Sequence, residues 1–171
     1  MEDISIQSAT PDEIPTIVDF VIKARVDMFP FLDQASNHQL ARKELASFQK
    51  NYLEGPHGAF LTARSNGRLV ATIGYLAYDY RFPHIDLETH HVVEVVRLYV
   101  DPEWRRVGLA SKLFAALEVS ARQAGINQLY LHTHPFLPNA IGFWKRQGFS
   151  IITVDDDPLW QTTHMSRPLE E

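Results

Sequence analysis

The chain contains no cysteine. Disulfides, thiolate metal sites and a cysteine nucleophile are therefore excluded, and serine is the side chain left for any covalent acyl intermediate. No apolar run approaches the roughly 20 residues that a membrane-spanning helix needs, so no membrane partner is expected. An excess of positive charge is also missing: the formal net charge is −5 with His neutral. A general nucleic-acid binder would carry a basic face, and this balance gives none. Met1-Glu2-Asp3-Ile4 lacks the basic and apolar regions of a secretory signal, so a cytoplasmic location is expected. Linkers, repeats and low-complexity segments are absent as well. What remains is 171 residues, 45% hydrophobic and 22% charged, which suits one domain (1–171) around one core.

Periodicity orders the elements. Ile4 and Ile6 alternate with polar residues as in a short strand. Thr10-Pro11-Asp12-Glu13 supplies a helix start, with Thr as N-cap, Pro at the first position and Glu closing a capping box. Ile14, Ile17, Val18, Val21 and Ile22 continue it as one apolar stripe, ended by the loop Met28-Phe29-Pro30-Phe31-Leu32. Ala41, Leu45, Phe48 and Tyr52 mark a second helix, closed by Gly55-Pro56. Strands are predicted over Ala59–Ala63 and Leu69–Tyr80, joined by the hairpin turn Asn66-Gly67. Arg81–His90 reads as a loop, and Val92–Val100, almost continuously apolar, as a central strand buried on both faces. Ala110, Leu113, Phe114, Leu117, Ala121 and Ala124 form the stripe of a helix stopped by Gly125. Leu129–Thr133, Phe149–Val154 and Leu159–Met165 are further strands, with a short helix over Pro138–Gln147. The predicted order is β-α-α-β-β-β-α-β-α-β-β, a mixed α/β fold.

The chemistry concentrates after Val100. Asp101-Pro102 turns the chain out of the central strand, and Gly108 lets backbone approach a ligand. Unpaired amides from about Val107 to Ser111 open a helix whose positive dipole end favours an anion. Arg105 and Arg106 add cations suited to phosphate. The stretch therefore reads as a pyrophosphate site, but it lacks the Lys-Ser/Thr of a triphosphatase loop and the Gly-x-Gly-x-x-Gly of a dinucleotide fold.

Arg105-x-x-Gly108-x-Ala110, directly after Leu98-Tyr99-Val100, resembles the acetyl-CoA motif of the GCN5-related N-acetyltransferase (GNAT) family. Ala140-Ile141-Gly142-Phe143-Trp144-Lys145-Arg146-Gln147-Gly148-Phe149 resembles that family's second motif, and the element order is similar over nearly the whole chain. The resemblance implies a mostly antiparallel twisted sheet with splayed central parallel strands, flanked by helices. It implies acetyl-CoA as acyl donor, no metal, and a small-molecule amine that attacks the thioester directly. A homodimer is common in such folds. Leu98, Tyr99 and Val100 would line the pantetheine arm and acetyl group. Arg105, Arg106, Val107, Gly108, Leu109, Ala110 and Ser111 would hold the pyrophosphate.

An attacking amine must be unprotonated, so a proton acceptor is needed. Glu94 interrupts an apolar strand and matches the position where several family members carry a catalytic glutamate; pairing with Arg97 or His91 is its structural alternative. His132 and His134 share one face of their strand and suit acid, base or metal-ligand roles, with His90-His91 as further metal-type side chains. Trp144 stands where many members carry a tyrosine acid, and an indole N–H is not a usable acid. Packing beside the cofactor is its expected role. Asn139 lies two positions past the usual pantetheine-binding asparagine and suits a helix cap. The loop Met28–Leu32 and the segment Tyr78–His84 are expected to border the acceptor. Two other functions fit the same motifs: a non-catalytic acyl-CoA sensor, favoured by Trp144, and an acetyltransferase acting on protein or peptide amines.

Overall fold

The computed structural model describes residues 3–87 and 91–169. Its strands are β1 (Ile4–Ser8), β2 (Ala59–Ser65), β3 (Arg68–Ala77), β4 (Val92–Val100), β5 (Gln128–Thr133), β6 (Ser150–Val154) and β7 (Thr163–Pro168). Its helices are α1 (Ile14–Met28), α2 (Gln34–Phe48), α3 (Leu109–Gln123) and α4 (Ala140–Arg146). The element order is the one expected. Seven strands form one sheet in the order β1-β2-β3-β4-β5-β7-β6, antiparallel throughout except for β4 beside β5.

Both faces of the sheet are covered, which explains why β4 reads as a nearly unbroken apolar run. On one face, Val93 and Val95 pack with Leu113, Phe114 and Leu117 of α3. On the other, Val96 and Tyr99 pack with Ile17, Val18 and Val21 of α1. Leu98 and Val100 nevertheless join the α3 side, although strict alternation would send them away from it. A bulge resolves the parity. The β3–β4 register slips between Thr72 and Gly74, and Arg97 takes a left-handed φ of 59°. Thr72 donates its hydroxyl to the Arg97 carbonyl at 2.8 Å, and the Arg97 guanidinium pairs with Glu44 of α2 at 2.6 Å. Strained non-glycine backbone persists where its surroundings fix it from several sides, as here.

The parallel pairing is short. It covers Val92↔Gln128, Val93↔Leu129 and Glu94↔Tyr130, and past that point β4 and β5 have no pairing. The bulge thus coincides with the place where the two central strands part.

Three boundaries differ from the sequence reading. β3 ends at Ala77, before the expected Tyr80, because the chain turns over the sheet and Tyr78 packs its ring 4.7 Å from that of Tyr130. The last strand starts at Thr163. Asp157 accepts hydrogen bonds from the Leu159 and Trp160 amides, both at 2.8 Å, and that local turn withdraws residues 159–161 from the sheet. The helix start at Thr10–Glu13 is a single 3₁₀ turn that carries the expected capping box, and α1 proper begins at Ile14. Part of the Arg81–His90 loop, at Glu88, Thr89 and His90, lies outside the described residues.

Replacing Thr72 by valine keeps shape but removes the hydroxyl donor from the part-buried Arg97 carbonyl. The expected loss of unfolding free energy is about 1–3 kcal/mol, read from urea denaturation. Unchanged stability would show that Thr72 does not hold the bulge.

Candidate active site

The gap between β4 and β5 opens into a groove of about 1040 Å³. Its floor is β4 from Glu94 to Val100, its far wall is Leu131 to His134 of β5 and the turn after it, and Leu137 to Trp144 close one side. Because pairing with β5 stops at Glu94, the backbone groups of residues 96–100 that face β5 have no strand partner. Such groups need hydrogen-bond partners from water or a ligand.

At one end of the groove lies the turn from Arg105 to Ser111. Arg106 and Gly108 both adopt left-handed backbone, with φ of 67° and 81°. Glycine suits the second position on conformational grounds, and a Cβ there would meet nothing within 4 Å, so the space before α3 is open. The first hydrogen bond into the helix runs from the Lys112 amide to the Gly108 carbonyl. The amides of Leu109, Ala110 and Ser111 therefore have no helical acceptor and stand at the positive end of the α3 dipole, a setting that favours an anion. Arg105 does not simply project as a phosphate clamp: its Nε donates to the Val100 carbonyl at 3.0 Å, securing the turn to the strand end. Gln147 Nε2 donates to Ser111 Oγ at 3.2 Å, tying the two sequence motifs together.

Asn139 sits at the first turn of α4 with φ of 64°, a conformation asparagine tolerates, and lines the groove. Its side chain makes no capping hydrogen bond, so it occupies the cap position without satisfying a helix amide. Trp144 also touches the groove, but 93% of it is covered. Its ring packs edge-on to Phe114 at 5.7 Å and to Phe149 at 5.3 Å. It builds the groove's wall.

Glu94 stands at the other end, where the strands part. It is only 3% exposed, and its paired neighbour on β5 is Tyr130. Neither Arg97 nor His91 is its partner. Arg81, which the loop after β3 brings across the sheet, grips both carboxylate oxygens at 2.7 and 2.8 Å. His132 Nδ1 lies 3.1 Å from Oε2, close enough for an ion pair but too oblique for a well-directed hydrogen bond. Burial alone would raise the Glu94 pKa. The contacts from His132 and Arg81 outweigh it and hold the carboxyl down at about 2.

His134 lies two residues beyond His132, just past the end of β5. Its Nδ1 faces the Trp160 carbonyl at 3.1 Å, which fixes Nδ1 as the protonated nitrogen of the neutral ring and leaves Nε2 as an acceptor. Burial lowers its pKa, so the neutral form prevails near neutrality. His132 and His134 lie 6.2 Å apart, and both line the groove. Around them stand rings from three loops: Phe29 and Phe31, Phe136, and Trp160. The expected border loop at Met28–Leu32 thus supplies Met28 and Phe29, and the Tyr78–His84 segment supplies Phe82 as lining and Arg81 as partner of Glu94.

Among the described residues His132 and His134 do not belong to a group of three metal-type ligands close enough to share an ion, although Glu94 lies beside His132. Among the described residues the one set able to hold a metal ion is His84, Asp155 and His164, whose ligand atoms lie within 4.8 Å of one another. These groups already satisfy each other: Asp155 contacts His84 at 2.9 Å and His164 at 3.1 Å, and His164 Nδ1 meets the Tyr130 hydroxyl. His91 stacks on His57, and His90 lies outside the described residues.

Sequence reasoning missed Arg81, Arg25, Phe136, Trp160 and the His164–Asp155 pair. Arg81 carried one signal, since a buried carboxylate on an apolar strand demands a cation from a nearby loop. The others depend on loop paths that no periodicity encodes.

The parted central strands, with a helix start at one end of the groove and a buried, charged carboxylate at the other, match the splayed parallel pair that the sequence resemblance implies. The comparisons agree. The family model described as "Acetyltransferase (GNAT) family" matches residues 19–149, and this chain belongs to that family. It is 28% identical over 175 residues to an IAA acetyltransferase of Azospirillum brasilense, covering 99% of this chain and all of that protein. Among solved structures, a GNAT acetyltransferase of Staphylococcus aureus superposes with a TM-score of 0.77 at 21% identity, covering 98% of this chain and 100% of that one. The PaiA N-acetyltransferase of Thermoplasma acidophilum, solved in complex with coenzyme A, gives 0.73 at 16% identity, covering 98% and 99%. No helix among the described residues is long and apolar enough to cross a membrane.

The Glu94 pair carries a pH signature. A carboxyl depressed when folded stabilises the protein above its unfolded pKa, near 4.5, and that contribution disappears as pH falls toward about 2. Glu94→Gln should therefore lower the urea midpoint at pH 7, because it strips Arg81 of its counter-charge, and the gap to wild type should close between pH 4.5 and 2. A gap independent of pH would mean that Glu94 is not held ionised by its partners.

Proposed function

We propose that this protein is an acetyl-CoA-dependent N-acetyltransferase acting on a primary amine of a small molecule by direct attack within a ternary complex. One observation carries the reading: Glu94 and His132 lie at the point where β4 and β5 part, at the opposite end of the same groove from the Arg105–Ser111 cradle.

In this reading the amides of Leu109, Ala110 and Ser111, with Arg106, hold the pyrophosphate. The β5-facing edge of Leu98 to Val100, which has no strand partner, holds the pantetheine arm between β4 and β5. The amine nitrogen forms a bond to the thioester carbonyl carbon, the C–S bond breaks, and the amine loses one proton. A carboxyl held at about 2 is a weak proton acceptor. Glu94 therefore acts best as the fixed negative charge that orients His132 and stabilises its protonated form, while the imidazole takes the proton. His134, neutral and with Nε2 free as an acceptor, faces the incoming acceptor. Thiols ionise near pH 8.5, so the departing sulfur can leave as thiolate, and a tryptophan in place of a tyrosine acid is compatible with turnover.

The sensor alternative keeps the cradle and drops the chemistry; a buried, charge-paired Glu94 beside His132 argues against it, since packing alone would favour an apolar residue there. A protein or peptide amine is the other alternative, and the aromatic rings around His134 favour a small acceptor instead.

Glu94→Gln and His132→Asn should each lower kcat, His132→Asn by at least about 100-fold, while the Kd for acetyl-CoA stays within about twofold. Unchanged turnover in both variants across pH would overturn the assignment.

A further inference from the structure

The chamber beyond Glu94 has a composition of its own. Phe29 and Phe31 follow α1, Phe136 follows β5, and Trp160 precedes β7, so three separate loops converge on one cluster. His134 stacks on Phe136 with centroids 5.2 Å apart and leans on Trp160 at 5.1 Å. Phe29, His134 and Trp160 line the groove, and Phe31 and Phe136, 50% and 37% exposed, flank them at its rim. Rings at such separations offer edges and faces to a further ring at the spacing aromatic pairs prefer. The cluster also lies one imidazole from the chemistry, since His134 is 6.2 Å from His132 and His132 contacts Glu94 at 3.1 Å. A ring seated here would hold an amine a few bonds away beside His132.

Charge narrows the class further. Glu94 is the single carboxylate among the described groove-lining residues, and Arg81 already takes both its oxygens. A polycationic acceptor would find no free counter-charge. The groove instead presents an unspent cation. Arg25, in the last turn of α1, holds its guanidinium 5.4 Å over the Phe29 ring, and its buried Nε has no hydrogen-bond partner. Arg25 lines the groove and has no ion-pair partner among the described residues, so its charge is left uncompensated there. A carboxylate is the group that matches it best.

Resting on the N-acetyltransferase reading above, we infer that the acceptor is an aromatic α-amino acid, its ring in the Phe29–Phe136–Trp160 cluster, its carboxylate on Arg25 and its amine at His132. Arg25, Phe29, Trp160 and His132 line one groove, and a monoamine with a single ring and a single acid presents one group to each.

The test pairs binding with turnover, using phenylalanine and tryptophan, their decarboxylated arylethylamines, leucine, and spermidine as probes with the intact protein and acetyl-CoA. The aromatic amino acids should show kcat/KM at least tenfold above leucine and spermidine. Arg25→Gln should raise KM for tryptophan at least tenfold with little change in kcat, and the effect should shrink below threefold for tryptamine. Phe136→Ala, at a half-exposed position, should raise KM for both ring-bearing classes. Preference for spermidine or leucine, preference for the arylethylamines over the amino acids, or an Arg25→Gln loss equal for tryptophan and tryptamine would each overturn the inference. Calorimetry separates this failure from that of the underlying reading. Tryptophan that binds in the presence of coenzyme A but is never acetylated refutes the transferase while sustaining the site; acetylation of other amines without tryptophan binding refutes the site alone.

Discussion

Everything in the site depends on the parting of β4 from β5 after the Glu94–Tyr130 pair. A sheet that stayed zipped would leave no groove, and strands that separated earlier would expose the core beneath α3. The bulge at Arg97 makes the parting compatible with a packed interior. By absorbing one residue it keeps Val93, Val95, Leu98 and Val100 all on the α3 face while the strand bends away from its parallel neighbour. Thr72 from inside the sheet and Glu44 from α2 hold the bulge from opposite sides. Local strain is thereby fixed by tertiary contacts, and the strand edge it exposes is what a pantetheine arm would use.

The second constraint is electrostatic. An ionised carboxylate that is 3% exposed is tolerable only with charged partners, and Arg81 and His132 provide them. The same arrangement makes Glu94 a poor proton acceptor and a good anchor. In the proposed reaction the proton therefore goes to the imidazole of His132 rather than to the carboxylate. Two further histidines extend the pattern. His134 stays neutral through burial, and His164, whose pKa burial also lowers, sits in a closed Tyr130–His164–Asp155 chain.

Much of the fold was legible because it rests on local rules. The eleven elements follow from period and punctuation, and the cradle follows from a strand end, a left-handed glycine and a helix start, all adjacent in sequence. The catalytic end was only half legible. Glu94 announces itself as a charge in an apolar strand, but its partner Arg81 arrives from a loop, and the bulge that parts the strands leaves no mark in composition. Trp160 was placed in a strand because Leu159–Met165 reads as one, and the Asp157 turn that removes it depends on side-chain hydrogen bonds to backbone amides. The packing of Trp144 was legible, since Phe114, Phe143 and Phe149, whose rings it meets, lie in the same motif or on the α3 stripe.

The central claim is that both substrates meet in one groove and that the acetyl group passes directly between them, with no acyl-enzyme. The initial-rate pattern with acetyl-CoA and an accepted amine varied together tests this most directly. The account predicts double-reciprocal lines that intersect, as a ternary complex requires. Parallel lines, with an acetylated protein isolable after acetyl-CoA alone, would contradict it.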